Sequence, residues 1–196
     1  MTQELPTPEG AGYSRVLHLD FINLTPAAGP EARAELEAAA GRLAAIEGVL
    51  DVGVIEADAA SDFDVAFWFL LRDFAALEPF GTDPAYSRFL QGTVAPLLRG
   101  FAGADVKLDA DFEAADGAAS CVALIGPEES YDFEVREALQ AWADSTGAAS
   151  IAIGLAVGEK QMYRGAAIAF GRTAVETPVV APFRATFIRG TSRVLA

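Results

Sequence analysis

The stretch Arg15-Val-Leu-His-Leu-Asp-Phe-Ile22 decides how this chain is read. Its apolar residues alternate with the period of a β-strand. Leu17, Leu19 and Phe21 fall on one face, and Val16, His18, Asp20 and Ile22 on the other. His18 is the single histidine of the chain. Asp20 follows it on the same face, some 6–7 Å away along the backbone at about 3.3 Å per residue. That spacing lets the carboxylate support an imidazolium directly or through water. Histidine titrates near neutral pH and suits proton transfer. His18 is therefore either a chemical group or a hydrogen-bonded structural residue at the sheet surface.

Reading outward, residues 1–13 form a leader with Pro6, Pro8, Gly10 and Gly12. Downstream, Pro30 and Glu31 suit the first turn of a helix. Its Leu36, Ala39, Leu43 and Ile46 recur at helical spacing, and Gly48 ends it. Strands are predicted over Val49–Ala57 and Phe63–Leu71. In the latter Phe63, Val65, Phe67, Phe69 and Leu71 share a face. A short helix at Asp73–Leu77, a turn Gly81-Thr-Asp-Pro84, a helix Ala85–Arg99 and a strand Ala104–Phe112 complete a βαββαβ order. Residues 117–196 repeat part of it. A strand Cys121–Ile125 is followed by a helix opened by Gly126–Ser130 and closed by Gly147. Strands follow at Ser150–Val157, Arg164–Thr173 and Phe183–Leu195, the last after the breakers Pro178 and Pro182. The second helix of the order has no counterpart here.

The chain of 196 residues is 52% hydrophobic, with much of that alanine, so close packing of small side chains is expected. The net charge of −14 argues against nucleic acid and against an anionic membrane surface. No apolar run reaches the roughly 18 residues of a transmembrane helix. With a leader unlike a signal peptide and a lone Cys121, a cytoplasmic protein is expected. Charge is uneven: residues 1–116 carry 20 acidic and 7 basic side chains, residues 117–196 only 8 and 7. The acidic segment Asp105–Gly117 reads as the end of the first domain, 14–114, and a solvated linker. The basic set Lys160, Arg164, Arg172, Arg184, Arg189 and Arg193 suggests that the second half meets the acidic first half.

The motifs between His18 and Phe112 resemble the stress-response dimeric α+β barrel (Dabb) family. They run in order as Leu17-His-Leu-Asp-Phe21, Ile46-Glu-Gly-Val49, Phe63-Asp64, Asp73-Phe-Ala-Ala-Leu77, Asp83-Pro-Ala-Tyr86 and Val94-Ala-Pro96. The resemblance implies an α+β fold with ferredoxin-like units paired into a barrel, usually between two subunits. Here the second half is expected to supply the partner sheet as a pseudo-dimer, with or without further homodimerisation. A cyclase member of the family uses two histidines. One maps onto His18, but the other maps onto Tyr86, and a helix tyrosine of that enzyme falls near Ala39. A phenol has an ordinary pKa of about 10 and is a poor base at neutral pH.

His18 and Tyr86 are thus the candidate catalytic residues, and Asp20 and Phe67 the candidate binding residues. Phe67, Trp68 and Phe69 suit a core as well as a ligand stack. One histidine and one cysteine offer no metal-ligand spacing, and no phosphate-binding loop or other cofactor motif is present. The expected function is binding of a small organic molecule, with or without weak lyase or cyclase activity. The alternatives are a non-catalytic oligomerisation module and a cofactor-free monooxygenase.

Overall fold

Eight strands and the helices packed outside them are described by a computed structural model covering residues 14–126, 131–158, 161–171 and 183–196. The first half contributes β1 (Val16–Leu24), α1 (Pro30–Gly41), β2 (Val49–Ala57), β3 (Val65–Leu71), α2 (Leu77–Thr82), α3 (Pro84–Arg88) and β4 (Leu98–Leu108). A π-helical turn, Phe89–Val94, continues α3. The second half contributes β5 (Gly117–Ile125), α4 (Asp132–Thr146), β6 (Ser150–Ala156), β7 (Gly165–Phe170) and β8 (Arg184–Val194).

The strands close into one barrel in the order β1-β3-β2-β8-β5-β7-β6-β4. Each half is a ferredoxin-like four-stranded sheet, β4-β1-β3-β2 and β8-β5-β7-β6. They join edge to edge at two antiparallel seams, β2 with β8 and β4 with β6. The chain is thus an α+β barrel made as an internal pseudo-dimer. Closure removes the exposed edges that each half alone would present.

Alternation along each strand separates three cores. Leu17, Leu19 and Phe21 point into the barrel with Trp68, Phe170 and many alanines, among them Ala66, Ala104, Ala123 and Ala166. Val16 and Ile22 point outward beneath α1 and α3, with Phe67, Phe69 and Phe89. Val122, Leu124 and Phe187 lie beneath α4 with Leu139 and Trp142. β3 is buried on both faces along its whole length, as its uninterrupted apolar run requires.

Several boundaries differ from the sequence reading. β4 starts at Leu98, so the third helix ends in short, irregular turns rather than reaching Arg99. Gly81 and Thr82 belong to α2 and are not a turn. β3 begins at Val65, and Phe63 packs with the barrel interior instead of sharing the outer face. Asp105 lies within β4 and not in a linker. The connection that follows is only partly solvated: Phe112 stacks on Phe170 at 5.8 Å and closes the barrel end. The leader 1–13, the helix opening at 127–130, Lys160, Arg172, Pro178 and Pro182 lie outside the described residues.

The seams carry the expected charge complementarity. Arg189 of β8 meets Asp58 at 2.5 Å, and Arg193 meets Glu37 and Glu56. Asp62 accepts the Phe187 N–H at 2.8 Å. Glycines allow the backbones to approach. A Cβ on Gly154 in β6 would lie 2.7 Å from the Lys107 carbonyl oxygen of β4. A Cβ on Gly190 in β8 would collide with the Glu56 carbonyl of β2.

Replacing Gly190 by Val should therefore destabilise the protein by about 2 kcal/mol or more, because backbone cannot yield as a side chain does. Gly92→Ala, at a site where nothing lies within 4 Å, should leave stability unchanged or slightly raised. Urea titration of both variants checks this. Equal midpoints for Gly190→Val and wild type would refute the need for bare backbone at the seam.

Candidate functional site

His18 stands on the outer face of β1, under the helices and not inside the barrel. Antiparallel register places Asp105 of β4 and Phe69 of β3 on either side of it. Asp20 lies likewise between Gly103 and Phe67. Residues paired across antiparallel strands hold their Cβ atoms about 5 Å apart. Asp105 Oδ1 accordingly reaches His18 Nδ1 at 2.6 Å.

Tyr86 arrives from the helical layer. Asp83 caps α3 by accepting the Ala85 N–H at 2.7 Å, and Pro84 occupies the first turn. This sets Tyr86 within that turn, with its hydroxyl 2.8 Å from His18 Nε2. The same hydroxyl lies 3.0 and 3.2 Å from the two Asp20 oxygens. Asp20 Oδ1 is also 3.2 Å from His18 Nε2. From the second half, the Gln161 amide donates to Asp105 Oδ2 at 3.2 Å. The rings of Phe69, Phe80 and Tyr86 surround the imidazole at 5.2–5.7 Å. Asp20 is fully buried, whereas the His18 and Asp105 side chains are 13% and 19% exposed, so the Asp105 edge is the one solvent touches.

Each ring nitrogen thus faces a carboxylate. Burial alone would lower the imidazole pKa, but the Asp20 charge and the hydrogen bonds that the ring donates to Asp105 and Asp20 outweigh it and raise the pKa to about 10. At neutral pH the ring is an imidazolium. Nδ1–H donates to Asp105, Nε2–H to Tyr86 and Asp20, and the Tyr86 O–H to Asp20. Burial and the Asp20 charge push the Tyr86 pKa above its ordinary value, so the phenol stays neutral. Both residues are proton donors in this state. The base role open to His18 from sequence needs a free nitrogen lone pair, and this arrangement leaves none.

Sequence reasoning named His18, Asp20 and Tyr86, which the structure brings together. It missed Asp105 and Gln161. Asp105 was masked by its acidic neighbours, although Ala102, Ala104, Val106 and Leu108 alternate around it as a strand. Gln161 carries no local signal. Phe67 is fully buried against Phe89 and is not among the rings beside His18. Cys121 lies inside the barrel, on the opposite side of the sheet from His18, and burial pushes its thiol pKa up. Among the described residues no group of His, Cys, Asp and Glu is placed to hold a metal, and no helix is long and apolar enough to cross a membrane.

The raised histidine pKa fixes the sign of a pH effect. Folding favours the imidazolium, so its stabilisation is complete below the ordinary pKa of 6.5 and is lost as pH rises to about 10. The amplitude should be on the order of 5 kcal/mol. Denaturant midpoints between pH 6 and 10 should fall for wild type and fall far less for His18→Gln. The sole imidazole signal in NMR should titrate well above neutrality; a midpoint near 6.5 would remove this account.

No family model and no curated protein matches the chain. Solved structures do. An anthrone oxidase-like protein aligns over 95% of both chains with TM-score 0.61 and 13% identity. A candidate monooxygenase from Lactobacillus acidophilus NCFM aligns over 93% of this chain and all of its own, with TM-score 0.57 and 14% identity. A Dabb family protein with a ferredoxin-like fold from Mesorhizobium loti aligns with 47% of this chain and 94% of its own, with TM-score 0.42 and 20% identity. The two full-length likenesses show that the whole chain, both halves included, adopts a fold already seen in solved structures.

Proposed function

We propose that this Dabb-like barrel protein binds a small organic molecule at the exposed edge of the His18–Asp105 pair. In this reading His18 and Tyr86 act as fixed proton donors toward an enol, phenol or carbonyl oxygen. The observation that carries it is the cost of the cluster. Two carboxylates, an imidazolium and a phenol sit among Phe69, Phe80 and Phe89, where apolar residues of similar volume serve packing at least as well. Groups held in this way are a mark of functional sites.

An imidazolium a few ångströms from a developing enolate lowers its energy through charge and needs no reorganisation. A neutral Tyr86 adds a directional donor. Weak lyase or cyclase chemistry on enolisable substrates follows if a separate group removes the proton. The names of the full-length neighbours, an anthrone oxidase-like protein and a candidate monooxygenase, make cofactor-free oxygenation the rival chemistry.

A second reading has its own observation. Every polar atom of His18 and the Tyr86 hydroxyl already has a partner in the chain. On that reading the cluster pins α3 and the Gln161 loop to the sheet, and the barrel is a non-catalytic module.

Titration of the protein with resorcinol and acetylacetone, followed by NMR, separates the readings. Binding should perturb the His18 imidazole and weaken about tenfold in His18→Gln and several-fold in Tyr86→Phe, the loss of a charged and a neutral hydrogen bond. If neither compound shifts the imidazole signal while both variants simply lose stability, the non-catalytic reading stands. Oxygen uptake with anthrone as substrate tests the oxygenase alternative.

A further inference from the structure

The grooves on the described surface differ in how their charges are balanced. One sets Arg15 beside Asp111 and Glu113, another sets Lys107 and Arg136 beside Asp109 and Asp132, and a third sets Arg33 beside Glu37 and Glu56. In each, cations face carboxylates, as expected where acidic side chains outnumber basic ones 28 to 14. The groove between α1 and the α3–π-helical segment breaks this pattern. It is lined by Arg42 and Arg88, with Thr93 beside them, over a floor that includes Ala39, Ala85 and Phe89, and it holds no carboxylate.

Its volume is about 290 Å³, enough for a small organic molecule. Both arginines are exposed, and neither has an ion-pair partner among the described residues. Arg42 lies in the last turn before the chain leaves the helix at Ile46, where a lone cation is favoured, whereas α3 continues past Arg88 into the π-helical turn. That accounts for Arg42 alone and not for two cations sharing one groove with a hydroxyl. Phe89 and Thr93 of the lining belong to the π-helical turn, a rare geometry that recurs at functional sites.

We infer that this groove binds a small anion through a carboxylate or phosphate group held between Arg42 and Arg88. Guanidinium forks match the two oxygens of such a group, and an exposed anion there keeps part of its hydration. The chain's net charge of −14 opposes an anion at long range, but salt screens charges beyond roughly 8–10 Å and leaves the two adjacent cations to dominate locally. The groove lining does not include His18, Tyr86, Asp20 or Asp105, so the inference stands apart from the reading of that cluster.

Isothermal titration with inorganic phosphate and with succinate tests it in the full-length protein. At least one should bind in the millimolar range, weaken about fivefold or more in Arg42→Gln and in Arg88→Gln, and weaken as ionic strength rises. Arg99→Gln removes the same charge outside the groove and should leave binding unchanged. Binding of phosphate alone, succinate alone or both identifies the group recognised. Failure of both to bind, or equal weakening by Arg99→Gln, overturns the inference. Because all three arginines are exposed, the variants should unfold at the wild-type midpoint, which separates lost binding from lost fold.

Discussion

Edge closure is the constraint on which the rest of this structure depends. A four-stranded ferredoxin-like sheet covers one face with its own helices and leaves the other face, and two edge strands, unsatisfied. Here the remedy lies within one chain. β2 takes β8, β4 takes β6, and the two uncovered faces become the inside of one barrel. The interior is narrow at eight strands, so side chains fill it. That explains the alanines at Ala66, Ala104, Ala123, Ala152 and Ala166 around the few large rings of Trp68, Phe21 and Phe170. It also explains Gly53, whose missing Cβ makes room for the Trp68 indole.

Filling the barrel moves the candidate chemistry to the outside of the sheet. His18 and Asp20 are offset by one residue from the interior set Leu17, Leu19 and Phe21, so the strand period alone places them under the helices. The two halves then differ. β5 and β8 occupy in the second sheet the places of β1 and β4 in the first, and across them Ser120 faces Arg189 as His18 faces Asp105. Arg189 directs its charge to Asp58 of the first half and so serves the seam. One half carries the titratable cluster, while the other supplies seam cations and Gln161. Fusion of two sheets in one chain permits this division, whereas a symmetric pair of identical subunits would repeat the cluster.

Much of this was legible in sequence wherever a local period meets a single environment. β1, β2 and the buried face of α1 follow from alternation or helical spacing, because the period alone assigns each side chain to the barrel interior or to the layer under the helices. The pseudo-dimer followed from the need of a sheet to cover its second face. Legibility ended where partners are distant in sequence. Asp105 is 87 residues from His18, and its acidic neighbours suggested solvent. Gln161 is 56 residues beyond Asp105. The third helix was read too long because Val94-Ala-Pro96 retains helical composition, although the chain there must tighten to enter β4 at Leu98. Phe67 pairs with Asp20 across β1 and β3 and packs on Phe89 in the layer under the helices.

The protonation of His18 follows from the same geometry. A histidine beside one carboxylate is poised near neutrality; between two, with a phenol closing its second nitrogen, it is held charged. The aromatic wall of Phe69 and Phe80 does not reverse this, since the desolvation it imposes is smaller than the attraction of two adjacent carboxylates. A residue that titrates near pH 10 is no switch at physiological pH. The flanking carboxylates favour its charged form, and its position is set by β1, β4, α3 and the Gln161 loop together. Where the cyclase that the sequence resembles has a second histidine, Tyr86 here keeps its proton and directs it to Asp20, so neither ring of the pair offers a free lone pair.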